Sequence, residues 1–445
     1  MIPAESFRAR RQRLIQAMGA GVAIIPTSPE RVRNRDAHYP YRFDSYFYYL
    51  TGFREPEAVL VVVAGQEPRS ILFCRDRNPE REVWDGFRYG PEGAREAFGF
   101  DEAHPVAALD EMARKLLADQ PAVFCPGGAD AAWDGRILGW INQLRAEARS
   151  GVSAPSELRD VRAVLDEMRL IKGPEELAAM RRAAEISTAA HRRAMSAVHP
   201  GMKEFEIEAE LVHEFRRHGA WAPAYSPIVA GGANACVLHY VENDAELNAG
   251  ELLLIDAGCE WEGYAADITR TFPVSGEYSG VQREVYELVL AAQRAAIAEV
   301  NPGMPWDAPH EAALQVLVRG MVDLGLCHGT VDGVIESGDY KRFYMHRTGH
   351  WLGLDVHDAG DYKREGKWRA LVPGMTLTVE PGLYLRSGEG IPERFWNIGV
   401  RIEDDVLVTE AGCEVLTAAA PKAIAEVEAL RQSRSLPWSP RARIS

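Results

Sequence analysis

The stretch "ELLLIDAGCEWEGYAADITRTF", residues 251–272, reads as two apolar runs of strand length, "ELLLIDAG" and "YAADITRTF", joined by "CEWEG". Runs separated by so short a polar, glycine-containing segment pair as an antiparallel hairpin, because a parallel return needs a dozen or more connecting residues. The stretch therefore predicts an antiparallel sheet and, with the helical patterns around it, an α+β domain. It also carries an oddity. Asp256 ends the first apolar run and Asp267 interrupts the second. A carboxylate in such a strand is costly to bury unless it is paired or holds a cation. The two acids face each other across the hairpin if the turn sets that register, which the sequence alone leaves open.

Outward from this hairpin, helical patterns cover 280–299 and 307–325 on one side and 203–218 on the other. A longer helix begins after Gly173-Pro174, where proline suits a first turn and Glu175 and Glu176 complement the helix dipole. It runs to the breaker His199-Pro200-Gly201. The change of character near 170–173 marks a domain boundary. Before it, residues 5–18 form an amphipathic helix with Phe7, Leu14, Ile15 and Met18 on one side and arginines elsewhere. The runs 21–26, 58–63, 70–74 and 122–126 are β-branched and strand-length, with the helical segment "AALDEMARKLLAD" between them. That alternation predicts an α/β domain with a mostly parallel sheet. The tail "RQSRSLPWSPRARIS" is expected to fray.

A chain of 445 residues exceeds what one hydrophobic core usually organises, so two domains fit the length. The net charge of −15, from 65 acidic and 50 basic residues, argues against binding a phosphate backbone and so against nucleic acid as a partner. No run approaches 18 apolar residues and no signal-like segment opens the chain, so the expected location is cytoplasmic, off the membrane. Six scattered cysteines without a CxxC pair read as reduced thiols.

Two further acids interrupt apolar strands: Glu380 in "LTVEPG" and Glu403 in "VRIEDDVLV". One such acid has a plain explanation in an edge strand or a salt bridge. Four of them, with a histidine-rich segment "MHRTGHWLGLDVHD" at 345–358, point to a shared site. Three histidines there raise the possibility of a zinc triad, but four carboxylates leave room for one imidazole. Four negative charges and a neutral imidazole match two divalent cations, and oxygen-rich ligation favours hard ions such as Mn²⁺. Two adjacent cations bridging a water bring its pKa from 15.7 toward about 7, which makes a hydrolytic nucleophile.

The segments "LIDAGCEWEGYAADITRTFPVSG", "MHRTGHWLGLDVHD", "PGMTLTVEPGLY" and "NIGVRIEDDVLVT", in that order, resemble the metal-dependent Xaa-Pro aminopeptidases of the bacterial aminopeptidase P family. That family belongs to the pita-bread group with methionine aminopeptidase, prolidase and creatinase. The likeness runs from about residue 5, through "YPYRFDSYFYYLTGF" at 39–53, to about 430. It implies an N-terminal α/β creatinase-like domain at 1–172 and an α+β pita-bread catalytic domain at 173–438. The implied activity is hydrolysis of the N-terminal Xaa-Pro bond by a metal-bridging hydroxide; a prolidase restricted to Xaa-Pro dipeptides is the alternative.

By motif position the resemblance assigns Asp256, Asp267, His350, Glu380 and Glu403 as ligands of two divalent ions, with Mn²⁺ expected. Asp267 and Glu403 would bridge the ions, Asp256 would bind one bidentately, and Glu380 would also serve as general base. His346 and His357 match histidines that touch the substrate and the tetrahedral intermediate, and His239 matches one at the mouth of the site. Arg401 and Tyr362 match a polar pair beside the metals. Between His346 and His350 this sequence has "RTG" where "GLS" is commoner. The implied partners are peptides with proline second and further copies of the chain, as a dimer or tetramer. Trp84, in "REVWDG", is either a core or interface aromatic or the match of a tryptophan that reaches a neighbouring subunit's site. His199, His213 and His218 read as surface or packing residues, and "AGGAN" at 230–234 as a turn, since it lacks the Lys-Ser/Thr of a phosphate loop.

Overall fold

The structure is a computed structural model that describes residues 2–432, in two units, 1–169 and 170–445. The expectation for the tail falls almost wholly outside the described residues.

In the N-terminal unit, strands β1 (Gly21–Pro26), β2 (Val59–Ala64), β3 (Arg69–Cys74), β4 (Glu102–Pro105), β5 (Ala122–Cys125) and β6 (Glu157–Asp160) form one sheet in the order β4-β3-β2-β1-β5-β6. The pairs β1–β5, β3–β4 and β5–β6 are parallel, while β2 runs against both neighbours. Mostly parallel is thus the right description, with β2 the exception, because four residues between β2 and β3 allow only a hairpin. Val22, Ile24, Val61, Ile71, Phe73 and Val123 are buried in its core. Helix α1 (Ala4–Met18) buries Phe7, Leu14 and Met18 as its pattern predicts. It also buries Arg10 and Arg11, against the expectation that its arginines lie elsewhere. Their guanidinium groups donate to the carbonyls of Tyr49 and Leu50 at 3.0 Å each. These carbonyls lie in the last turn of helix α2 (Ser45–Thr51), where acceptors lack partners within the helix.

The C-terminal unit begins with helices α3 (Pro174–Ala197) and α4 (Glu204–Arg217); α5 (Gly280–Ala298) and α6 (Ala308–Asp323) follow later. The Gly173 N–H donates to the Glu176 carboxylate at 2.9 Å, closing the first turn of α3. The described strand pairs of this unit are all antiparallel. A three-stranded sheet joins β7 (Ile228–Gly231), β8 (Leu252–Asp256) and β11 (Thr269–Pro273). A small sheet joins β9 (Cys259–Trp261), β10 (Tyr264–Ala265) and Ala222–Pro223. Farther along, β12 (Thr376–Val379), β15 (Asp404–Thr409) and β16 (Gly412–Val415) form a third sheet, and β13 (Gly382–Leu385) pairs with β14 (Ile398–Arg401). One continuous apolar core runs beneath these sheets, from Ile186 and Leu211 on the helices to Leu253, Phe272 and Val406 on the strands. No described helix is long and apolar enough to cross a membrane.

Candidate metal centre and its surroundings

The hairpin of residues 251–272 is split into two ladders. β8 and β11 pair with Asp256 opposite Thr269, and farther out β9 pairs with β10. Between the ladders the strands approach closely: a Cβ on Gly258 would lie 1.7 Å from the Ala266 carbonyl oxygen. Asp267 falls in this break, so its N–H is not spent on the hairpin. It donates instead to both carboxylate oxygens of Asp405, at 3.1 and 3.2 Å. One hydroxyl, that of Tyr225, lies 2.6 Å from Asp256 Oδ1 and 2.5 Å from Asp267 Oδ1, drawing the two acids onto one point.

Glu403 arrives from the turn between β14 and β15. Its N–H donates to the Thr269 carbonyl at 3.0 Å, and its carboxylate accepts the Thr269 hydroxyl at 2.6 Å. The next residue points elsewhere. Asp404 is buried with Arg270 (2.7 Å), Lys422 (2.5 Å), Gln293 (2.6 Å) and Thr417 (2.7 Å) as donors. Three successive acids thus have three different surroundings.

His350 and Glu380 come together because the histidine segment is laced to β12. The His350 carbonyl accepts the Thr378 N–H at 2.9 Å and the Thr348 carbonyl accepts the Glu380 N–H at 2.7 Å. Only glycine fits between them: a Cβ on Gly349 would meet the Thr378 carbonyl oxygen at 2.0 Å. The Nδ1–H of His350 donates to the Trp351 carbonyl at 3.0 Å, which leaves Nε2 as the nitrogen facing the acids, the one that can give up its proton to a cation. Nε2 lies 3.5 Å from Asp267 Oδ2 and 3.7 Å from Glu380 Oε1. One ligand atom each from Asp267, His350 and Glu403 all lie within 4.8 Å of one another, a spacing that a single cation can span.

The electrostatics call for cations. Burial first, then mutual repulsion, holds Glu403 well above the usual carboxylate range. Burial likewise lifts Glu380 to about 7 and Asp256 to about 6, although Arg401 pulls both down. Asp267 is lowered; burial opposes this, and contacts with His350 and Tyr225 overcome it. Burial also opposes charge on His350, but Asp267 and Glu380 outweigh it and carry the imidazole to about 9. Four clustered carboxylates with one imidazole nitrogen facing them fit the donor set of hard divalent ions.

These groups form one end of a cavity of about 460 Å³, whose wall also includes Ile228, Leu238, Val241 and Val356. His239, His346, His357 and Arg401 line it as well. Arg401 donates to Asp256 Oδ2 at 2.6 Å, to the Thr269 hydroxyl at 3.1 Å and to the Tyr384 hydroxyl at 3.1 Å. The Tyr384 hydroxyl in turn donates to His346 Nε2 at 2.8 Å, since His346 Nδ1 faces the Arg347 carbonyl at 2.7 Å and carries the proton. Burial and the nearby Arg401 charge lower the His346 pKa to about 4, so the ring is neutral. His357 stands edge-on to His350, ring centroids 4.4 Å apart, and burial lowers its pKa too.

One expectation needs correction, and one alternative is excluded. Tyr362 does not line the cavity or pair with Arg401; its ring stacks on Trp351 and packs against Trp306, and its hydroxyl accepts the Trp351 N–H at 3.2 Å. The phenol beside Arg401 is Tyr384, whose strand β13 pairs with β14 and brings Gly382 opposite Arg401. Trp84 is not a core residue: it is 82% exposed on the short helix Pro79–Asp85 of the N-terminal unit. His199, His213 and His218 lie outside the cavity wall; His199 meets the Pro200 carbonyl and His218 the Glu214 carboxylate. The sequence reading passed over Tyr225, Tyr384, Asp404 and Asp405. A tyrosine has no distinguishing periodicity, but the doubled Asp404-Asp405 after Glu403 was a visible anomaly.

Residues 178–410 match the model of metallopeptidase family M24, and residues 7–124 that of the aminopeptidase P N-terminal domain. The Xaa-Pro aminopeptidase of Escherichia coli is 44% identical over 432 residues, 96% of this chain and 98% of that protein. That of Haemophilus influenzae is 45% identical over 431 residues, covering 96% and 97%. Aminopeptidase PepP of Pseudomonas aeruginosa superposes with a TM-score of 0.95 at 49% identity, covering 97% of this chain and 98% of that one. A zinc-substituted aminopeptidase P of Escherichia coli in complex with product gives 0.95 at 44%, with the same coverage.

Proposed function

This chain belongs to metallopeptidase family M24, joined to an aminopeptidase P N-terminal domain, and we propose that it is a metal-dependent Xaa-Pro aminopeptidase. Its substrates are peptides with proline in second position, from which it releases the first residue. The observation that carries this reading is the convergence of Asp256, Asp267, His350, Glu380 and Glu403 at the end of one cavity, with His350 Nε2 turned toward the acids. In this proposal these five residues would hold two divalent cations, and the oxygen-rich donor set supports Mn²⁺. When bound, the ions would supply Lewis-acid activation of water, the source of the nucleophile for the scissile carbonyl.

The remaining chemistry belongs to the chain. Glu380, buried at the end of the cavity, takes up a proton during the attack and returns it to the leaving nitrogen. That nitrogen needs it, because an amide before proline is tertiary and departs only when protonated. His346 is neutral, its Nδ1–H held by the Arg347 carbonyl and its Nε2 by the Tyr384 hydroxyl, so its ring is fixed in the cavity wall 3.9 Å from Glu380 Oε2, where it contacts substrate. His357 and His239 line the same cavity and contact the peptide, while Arg401 fixes Asp256. The exposed Trp84 supports contact with another copy, in a dimer or tetramer, and six free cysteines support a reducing, cytoplasmic setting.

One assay tests the whole reading. In Mn²⁺, the chain should cleave an Xaa-Pro tripeptide, spare a peptide without proline, and lose activity as Glu380→Ala or Asp267→Ala. Near-normal turnover in both variants would overturn the metal assignment; activity on the Xaa-Pro dipeptide alone would make the chain a prolidase.

A further inference from the structure

His310, on helix α6, stands behind the segment that carries His346 and His350. Its Nδ1 lies 2.8 Å from the Thr348 hydroxyl, which is 2.5 Å from the Tyr344 hydroxyl. Three polar groups from two parts of the chain therefore meet at Thr348, inside the "RTG" that departs from the commoner "GLS". Thr348 is buried, and its carbonyl accepts the Glu380 N–H at 2.7 Å. The Tyr344 ring meets His346 edge-on at 5.0 Å. One residue thus touches the supports of the proposed base and of the proposed substrate-contacting histidine.

We infer that His310 is a positioning residue for hydrolysis, holding Thr348 so that Glu380 and His346 keep their mutual geometry. The inference rests on the aminopeptidase reading. His310 does not line the metal-bearing cavity, so it acts through Thr348 and not on substrate. An oriented pair of catalytic groups loses rate when its support loosens, whereas binding to the apolar wall at Leu238, Val241 and Val356 is untouched. The effect should therefore appear in kcat and not in KM.

The test compares His310→Leu, His310→Asn, Thr348→Val and the double variant His310→Leu/Thr348→Val, each loaded with Mn²⁺, on an Xaa-Pro tripeptide. Asparagine places a polar atom near the Nδ1 position and serves as the rescue. The expected result is a kcat about tenfold lower in both apolar single variants, with KM and bound metal unchanged. The double variant should be no worse than either single one, and His310→Asn should recover to within about threefold of the parent. Wild-type kcat in His310→Leu, additive losses, or a loss that tracks metal content and resists Asn rescue would each overturn it. If the unaltered chain itself fails to cleave the tripeptide, the aminopeptidase reading is what fails.

Discussion

Asp405 accepts the backbone N–H of Asp267 with both carboxylate oxygens, at 3.1 and 3.2 Å. The contact fixes a residue that the hairpin ladders leave unpaired, and it does so from the strand that delivers Glu403. Two of the proposed ligands are therefore tied together by an acid that ligates nothing.

Replacing that acid should weaken metal binding without touching a ligand. Partners of ligating groups typically contribute 10–100-fold in affinity, so Asp405→Ala should raise the dissociation constant for Mn²⁺ by about that factor. Asp405→Asn keeps one acceptor and should lose less. Calorimetric titration of chelator-treated protein measures both, and equal affinity in all three proteins would refute the assignment.

Cations should stabilise the fold more at high pH than at low. Burial raises Asp256 to about 6, Glu380 to about 7 and Glu403 well above its usual range, and the neighbouring acids carry His350 to about 9. With each pKa above its unfolded value, these four groups hold more protons in the native chain than in the unfolded one, so their contribution to stability falls as pH rises from about 4 to 9. Cations supply positive charge in place of those protons. The gain in Tm on adding Mn²⁺ should thus be larger at pH 8 than at pH 5.5, and a gain that shrinks with pH would contradict the cluster's electrostatics.

Tyr384 joins two parts of the site with one hydroxyl, accepting from Arg401 and donating to His346. Tyr384→Phe removes the donor to His346 Nε2 and the acceptor for Arg401. Turnover of an Xaa-Pro tripeptide should drop by about tenfold or more, with metal content preserved. Tyr362→Phe is the control: among the described residues its hydroxyl accepts the Trp351 N–H, away from the cavity wall, and kcat should stay within about threefold.

Two glycines should respond in opposite senses. Gly258→Ala forces a Cβ to within 1.7 Å of the Ala266 carbonyl oxygen and should destabilise by at least about 2 kcal/mol, with loss of metal binding. Gly135 lies exposed within the helix Ala131–Ala146 with open space around it. Gly135→Ala should stabilise by about 0.5–1 kcal/mol. Denaturant melts of the two variants check both signs.

Much of this arrangement was legible because it rests on period and punctuation. The apolar runs at 21–26 and 70–74, the Gly173-Pro174 helix start and the acids interrupting strands are local signals. What escaped depends on registers that only packing sets. The hairpin of 251–272 looked like one ladder, but the close pass of Gly258 on Ala266 splits it and releases the Asp267 N–H. Tyr362 follows the histidine segment closely in sequence, yet the stack on Trp351 takes it out of the cavity wall. Tyr384 fills the place expected for it, because β13 runs back beside Arg401. The pattern set the arginines of the first helix apart from its apolar side, yet Arg10 and Arg11 are buried because the end of a neighbouring helix supplies them with carbonyls.

The run Glu403-Asp404-Asp405 sets three acids into three incompatible environments: the cation site, the Arg270–Lys422 pair, and the Asp267 amide. Shifting this strand by one position would press a carboxylate against other carboxylates and leave Arg270 buried opposite the wrong neighbour. Apolar alternation alone tolerates a slip of two, since the same faces stay inward. Here no such slip is neutral. The alignment of this strand is therefore specified by charge as well as by its apolar pattern, and it needs no cation to be so specified.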